Sequence, residues 1–186
     1  MMDIWIYSLP DHNKIRQGLL ESIANDTHGH PIRIEEQKKF GAAELLEKTD
    51  YFTRKGSNPK HYYYKILLPS LRGYLRIVLD RYCQQKIKLQ NVWYQQYITR
   101  DAHGWHVHPD CNLSWVYYIE LKDVKDSTEF YDTIEGRRFQ MDVKEGDIIT
   151  FPSYITHRSP PTTSDRKTVI AGNFNFTIVK DSMIQE

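Results

Sequence analysis

Cysteine is scarce in this chain of 186 residues, with only Cys83 and Cys111 present. Two thiols cannot make the disulfide framework of a small secreted scaffold, so both read as free thiols of a cytoplasmic protein. Long apolar runs are missing too. No stretch approaches the roughly 20 residues needed to cross a bilayer. The opening Met1-Met2-Asp3-Ile4-Trp5-Ile6-Tyr7-Ser8-Leu9-Pro10 lacks the basic segment of a signal peptide and is soon broken by proline. Charge of one sign is also lacking: 25 Lys plus Arg face 24 Asp plus Glu, for a formal charge of +1. A nucleic-acid groove or an anionic membrane surface normally leaves a basic excess, so neither partner is expected. There is no Gly/Ser/Pro-rich linker, internal repeat or low-complexity tract.

What is present is a core. Hydrophobic residues make up 40% of the chain and aromatics 13%, enough for one substantial domain over 1–186 and too much for disorder. The first half, to about residue 86, reads as a helical prefix. Asp11 is a candidate cap for a helix through Asn25, with Ile15, Leu19, Leu20 and Ile23 on one face. A second helix is expected over 35–48, and a loop over 55–59 at Lys55-Gly56-Ser57-Asn58-Pro59. After Pro69, Leu71, Leu75, Val78, Leu79 and Tyr82 recur at helical spacing.

From Lys86 the period changes. Aromatic and β-branched residues predict strands at about 89–98, 104–108, 113–121, 127–131, 137–143, 147–151 and 168–179, with a turn at Lys144-Glu145-Gly146-Asp147. This is a mainly β fold with N-terminal helices: a β-sandwich or jelly roll over 87–180, with the helices packed on one sheet.

Histidine is unevenly spread, and three of the eight fall at His103, His106 and His108. On a strand His106 and His108 share a face, whereas His103 has the other parity and reads as a bystander. Two imidazoles on one face are half a metal site. His157, which follows a strand ending in Phe151-Pro152-Ser153, is the candidate third ligand. Imidazole suits iron, zinc, copper and nickel, and three protein ligands leave positions open for catalysis. The pair His108 and Asp110 offers a second way to place two strand ligands.

The blocks Trp105-His106-Val107-His108-Pro109, Leu113-Ser114-Trp115-Val116-Tyr117-Tyr118, Gly146-Asp147 through Phe151-Pro152-Ser153 and His157, and Arg166-Lys167-Thr168 occur in a familiar order. Over about 89–180 the chain resembles the 2-oxoglutarate and Fe(II)-dependent oxygenases, and within them a small subfamily with His-x-His-Pro, Ser-x-Val-Tyr-Tyr and Phe-Pro-Ser motifs. The resemblance implies a double-stranded β-helix, a distorted jelly roll. It implies iron(II) on His106, His108 and His157, and 2-oxoglutarate with its distal carboxylate on Arg166. It gives Thr168, Tyr118 and Tyr97 places around that cosubstrate. A guanidinium suits the task because it holds a carboxylate bidentately.

Most of the superfamily binds iron with two histidines and a carboxylate. Three neutral imidazoles depart from that and leave more of the metal's charge for the cosubstrate to balance. The activity implied is hydroxylation of a C–H bond of a peptide or small molecule, with succinate and carbon dioxide as co-products. Two other readings compete: a cupin-like dioxygenase with three histidines and no 2-oxoglutarate, and a non-catalytic jelly-roll binding module. Trp93, Trp105 and Trp115 are expected in the core or the pocket wall. The run Lys60-His61-Tyr62-Tyr63-Tyr64-Lys65 is expected to pack on the sheet.

Overall fold

Burial in the N-terminal half alternates between helical stripes and short extended segments. The computed structural model describes residues 3–33, 44–51, 62–82 and 86–176. In chain order the half contains β1 (Trp5–Ser8), α1 (His12–Ala24), β2 (His30–Ile32), β3 (Glu44–Thr49), α2 (Tyr62–Ser70) and α3 (Arg72–Arg81). Ile15, Leu19 and Ile23 line the buried stripe of α1, as their spacing predicts. α2 and α3 follow one another around Leu71, with Pro69 in the last turn of α2. Tyr63 and Tyr64 of the aromatic run are buried in α2, and Tyr62 is exposed.

Two differences from the sequence expectation stand out here. Part of the helix expected over 35–48 is strand, because β3 occupies Glu44–Thr49. The half is also more than a helical prefix, since β1, β2 and β3 all join the sheets. The remainder of that expected helix, the 55–59 loop, Lys60, His61, Cys83 and the strand end at 177–179 lie outside the described residues.

The C-terminal half contains β4 (Lys88–Ile98), β5 (Ala102–His106), β6 (Leu113–Glu120), a 3-10 turn (Val124–Asp126), β7 (Glu129–Asp132), β8 (Arg137–Gln140), β9 (Asp147–Pro152), β10 (His157–Ser159) and β11 (Arg166–Asn175). Its pairing is nested: β4 with β11, β5 with β10, β6 with β9 and β7 with β8, all antiparallel. One long ribbon of paired strands is thus coiled back over itself, which is a double-stranded β-helix. Coiling sorts the strands into a major sheet, β1-β9-β6-β11-β4, and a minor sheet, β5-β10-β7-β8. β3 pairs with β4 at one end and with β5 at the other, so it closes the seam between the sheets. The turn before β9 depends on Gly146, whose φ of +93° disfavours any side chain.

Strand alternation gives the major sheet two buried faces. Outward, Tyr94, Trp115, Tyr117, Ile170 and Phe174 pack under the three helices. Inward, Tyr97, Tyr118, Ile149, Phe151 and Val169 meet Phe130 and Ile155 between the sheets. The inner space is the one available to a ligand. No described helix is long and apolar enough to cross a membrane.

Candidate metal centre

His106 ends β5 and His157 begins β10, and the two are paired in register across the minor sheet. His108 lies two residues beyond the end of β5, where its backbone N–H donates to the Ser153 carbonyl at 3.0 Å. The chain leaving β9 at Pro152 turns through an Ile155 N–H to Pro152 carbonyl bond of 3.0 Å and so delivers His157 opposite His106. The ring centroids of His106 and His157 are 4.3 Å apart, and those of His108 and His157 are 5.0 Å apart. One nitrogen from each ring falls within 4.8 Å of the other two. Among the described residues no other three such side chains are brought this close, and Asp110 is not in the group.

The second nitrogen of each ring is committed. Nδ1 of His106 bonds the Gly104 carbonyl at 2.8 Å, and Nδ1 of His157 bonds the Ile155 carbonyl at 2.8 Å. A carbonyl only accepts, so both rings carry their proton on Nδ1 and leave Nε2 as a lone pair. Nδ1 of His108 meets Asn173 Oδ1 at 2.7 Å and Ser114 Oγ at 2.9 Å. Ser114 in turn donates to Asn173 Oδ1 at 3.0 Å and lies 2.9 Å from Ser153 Oγ. His108 is therefore held in the same tautomer.

Nε2 of His106 and Nε2 of His108 are only 3.1 Å apart. With both protons on the far side of the rings, two lone pairs face each other. A cation between them resolves the repulsion. Two nitrogens bound to one metal at about 2.1 Å and a right angle sit about 3.0 Å apart, so the spacing fits. Burial drives the pKa of His106 down to about 2, with His103 and His157 adding to the shift. Burial likewise lowers that of His157 to about 3. Neutral imidazoles are what a divalent ion requires.

The inner chamber runs from the triad between the sheets. Tyr97 of β4, Tyr118 of β6, Thr128, Ser159 of β10 and Lys167 and Val169 of β11 line it. Lys167 is 2% exposed. Its Nζ donates to the Asp126 carbonyl at 2.8 Å and to Ser159 Oγ, and it lies 4.1 Å above the Tyr97 ring. None of these partners is a carboxylate, and Lys167 makes no ion pair with one among the described residues. Burial lowers its pKa to about 7, against a smaller raising effect of Asp126. The Tyr118 hydroxyl donates to Thr128 Oγ1 at 2.8 Å, and burial raises its pKa to about 12.

Of the residues expected around a cosubstrate, Tyr97 and Tyr118 line this chamber, while Arg166 and Thr168 do not. Arg166 is 51% exposed in its side chain and clasps Glu120 from the opposite face of β11, at 2.8 Å through Nε and 2.5 Å through a terminal nitrogen. Thr168 donates to the same Glu120 at 2.6 Å. The expectation fails by one residue of register, which on a strand reverses every side chain. Lys167 is the β11 cation on the chamber side, where Arg158 of β10, the other cation in the lining, is already paired with Glu129.

His103 also differs from expectation. It lies within β5 with its ring stacked on His106, 3.9 Å between centroids and 8° between planes, and so forms part of the site wall. Trp93 lines the site and Trp115 is in the helix-side core. Trp105 is 39% exposed, beneath the Arg158 guanidinium at 4.6 Å. Sequence reasoning missed Lys167, Asn173 and the hydrogen bonds of Ser114. Parity alone could have linked Lys167 with Asn173, since both are odd-numbered on one strand.

No family profile matches the sequence and no curated protein aligns with it significantly. Solved structures do align. A prolyl-4-hydroxylase from Pseudomonas putida superposes with a TM-score of 0.65 at 12% identity, over 95% of this chain and 94% of that one. A viral collagen prolyl hydroxylase from Paramecium bursaria Chlorella virus-1, in complex with 2-oxoglutarate, gives 0.62 at 11% identity, over 92% and 94%. HygX from Streptomyces hygroscopicus, with nickel and 2-oxoglutarate bound, gives 0.64 at 8% identity, over 95% and 84%. These likenesses span nearly the whole chain and show a shared fold.

Proposed function

We propose that the chain is an iron(II)- and 2-oxoglutarate-dependent dioxygenase that hydroxylates a C–H bond of a peptide or small-molecule substrate. One observation carries this reading. Three convergent imidazole lone pairs stand at one end of a narrow chamber, and a buried ammonium without a carboxylate partner stands along it. A 2-oxo acid with a distal carboxylate complements both: its keto acid end chelates a metal and its other end neutralises Lys167. The charges balance well, because a dianion offsets most of one divalent metal and one ammonium. The solved structures with this fold that contain 2-oxoglutarate support the same reading.

In this role His106, His108 and His157 hold iron(II) through Nε2, and Lys167 takes the place expected for Arg166. Bound iron with 2-oxoglutarate would supply the oxidant, as dioxygen is consumed, the cosubstrate becomes succinate and carbon dioxide, and one oxygen atom reaches the substrate. The chain orients and shields. Lys167, fixed by the Asp126 carbonyl, Ser159 and the Tyr97 ring, sets where the distal carboxylate lies. Tyr118 stays a neutral hydroxyl donor at any physiological pH. Val169 and Ala171 line the chamber with apolar surface that keeps water out. The free thiol of Cys111 agrees with a cytoplasmic setting.

The three-imidazole set favours a second reading, a dioxygenase that uses the metal without 2-oxoglutarate. Anaerobic titration with Fe(II) and then 2-oxoglutarate separates them. The proposal expects stoichiometric binding of both and iron-dependent succinate formation in air. Metal binding without 2-oxoglutarate affinity would select the alternative, and metal retention with no turnover would select a binding module. His157→Ala is expected to abolish iron retention.

A further inference from the structure

Asp126 ends the 3-10 turn between β6 and β7 and is fully buried. Its carboxylate accepts hydrogen bonds from the segment that leads into β11. The Thr163 N–H donates at 2.7 Å and the Thr163 hydroxyl at 2.8 Å, while the Ser164 N–H donates at 3.0 Å and the Ser164 hydroxyl donates as well. Burial alone would raise the pKa of such a group, and these neutral donors together hold it below the ordinary value. Asp126 is therefore a buried anion. Its main-chain carbonyl meanwhile takes the hydrogen bond from Lys167 Nζ at 2.8 Å. One residue thus ties down both the entry to β11 and the head of the lysine just inside that strand.

An ammonium has three N–H bonds to direct. The Asp126 carbonyl and Ser159 Oγ accept from Lys167, and the Tyr97 ring closes a flank, so one N–H is left for an occupant of the chamber. The Asp126 carboxylate is not among those contacts. It makes no ion pair with the ammonium, yet its field opposes the effect of burial on Lys167. A carboxylate in contact would neutralise the ammonium and compete with an arriving anion, whereas burial with no anion nearby would strip the proton. A countercharge set behind the ammonium avoids both. The other groups that face Lys167 are Tyr97 of β4, Tyr118 of β6, His103 of β5, and His157 and Arg158 of β10. Burial keeps Tyr118 and His157 neutral, Arg158 is paired with Glu129, and none of the five is a carboxylate.

We infer that Asp126 is the positioning residue of the chamber's anion site: its carbonyl aims the Lys167 ammonium into the chamber, and its carboxylate, held off by Thr163 and Ser164, supplies the countercharge. The inference rests on the dioxygenase reading for the identity of the anion, 2-oxoglutarate, and on these contacts alone for the coupling of Asp126 to Lys167.

An NMR titration of Lys167 in the metal-free full chain tests the coupling directly, through the carbon shift of its Cε, assigned by its loss in Lys167→Met. Asp126→Asn keeps the shape of the side chain and removes the charge. It is expected to lower the Lys167 midpoint by about one pH unit, the low end of what a nearby opposite charge does. Thr163→Val keeps the charge and removes a donor that holds the loop, so it is expected to unfold at lower urea concentration with the midpoint unmoved. An unmoved midpoint in Asp126→Asn, or equal shifts in both variants, would overturn the inference. The wild-type protein supplies a check that needs no variant to fold. The carbon shift of Asp126 Cγ is expected to remain that of a carboxylate down to about pH 5, and a neutral Asp126 there would equally overturn the inference. Calorimetric titration of 2-oxoglutarate into the Fe(II)-loaded proteins under argon then extends the coupling to the ligand. The pH above which affinity falls is expected about one unit lower in Asp126→Asn than in wild type, and the same pH in both would remove Asp126 from the site. Wild-type protein that binds no 2-oxoglutarate, alongside a lowered Lys167 midpoint in Asp126→Asn, would sink the dioxygenase reading and leave the coupling standing.

Discussion

Arg166 and Lys167 are neighbours on β11 whose cationic heads lie on opposite faces of the major sheet. Arg166 reaches the helix side and grips Glu120, while Lys167 enters the chamber beside the histidines. The helix-side face also holds Arg16 of α1, 3.5 Å from Glu120, so the arginine is part of the seam that fastens α1 to the sheet. In the proposed function the adjacent cations have separable duties, one in docking a helix and one in receiving an anion.

Replacing each in turn separates those duties. Lys167→Met is expected to weaken 2-oxoglutarate binding about 30-fold or more, the usual scale for removing one partner of a buried charge pair. Arg166→Met is expected to leave that affinity unchanged and to lower stability by about 1 kcal/mol, since Arg166 is half exposed and the buried Glu120 keeps Thr168 and Arg16 as partners. Calorimetric titration and urea unfolding measure the two quantities. An Arg166→Met protein that loses the cosubstrate would return the anchor to Arg166.

The lysine also makes binding depend on pH. In the ligand-free protein burial lowers the Lys167 pKa to about 7 from an ordinary 10.5. Between those values the unfolded chain holds more protons than the folded one, so this group's contribution to stability rises with pH across that window. Below it both states carry the charge, and the folded state bears the full cost of burying it. Cosubstrate binding runs the other way, because a carboxylate needs the ammonium. Affinity for 2-oxoglutarate is expected to fall up to about tenfold per pH unit above 7, with proton uptake on binding. Titration calorimetry at pH 8.5 in buffers of different ionisation enthalpy reads that uptake directly, and its absence would remove Lys167 from the site.

Asn173 is expected to tune the metal through His108. Its carboxamide oxygen takes the Nδ1 proton of that ring at 2.7 Å, with Ser114 and Ser153 completing the chain of hydrogen bonds. Removing such a partner commonly costs 10- to 100-fold in metal affinity, so Asn173→Leu should weaken Fe(II) or Zn(II) binding by about that factor. Asn173→Asp restores an acceptor and adds the negative charge that a three-imidazole set lacks. It should bind metal at least as tightly as wild type. Competition with a chelating dye gives both values, and equal affinities in all three proteins would make the contact merely structural.

The convergence of the three histidines was legible in the sequence because it needed only side-chain type, strand parity and the proline turn before His157. It left Lys167 hidden because parity says which residues share a face and never which face is inside. Only the packing of Ile170 and Phe174 under the helices decides that the odd-numbered residues of β11 look inward. β3 was misread for another reason. Its Glu-Leu-Leu-Glu-Lys-Thr composition suits a helix, but its place is the seam between two sheets, where pairing with β4 and β5 overrides propensity. β10 escaped notice because three residues carry no period, although one of them is the candidate ligand His157.

Gly172 tests how closely the helix-side core and the metal side are coupled. It sits on β11 between β4 and β6, on the face opposite its neighbour Asn173. A Cβ placed there would come within 2.6 Å of the Trp115 indole and 2.8 Å of the Asn91 carbonyl oxygen. Trp115 is fully buried and stacked on Phe174 at 6.0 Å, so it cannot swing away, and the carbonyl belongs to a paired strand. Gly172→Ala must therefore push β11 away from both, at a cost of about 1–3 kcal/mol typical of overpacking. Because Asn173 is the next residue, the displacement reaches the His108 hydrogen bond. The variant is expected to unfold at lower urea concentration and also to bind metal more weakly. Reducing Trp115 to Leu in the same chain should recover the metal affinity by making room for the methyl group, even though the smaller core remains less stable than wild type. Recovery of neither property would mean that the β4 backbone at Asn91, and not the indole, is what the added carbon strikes.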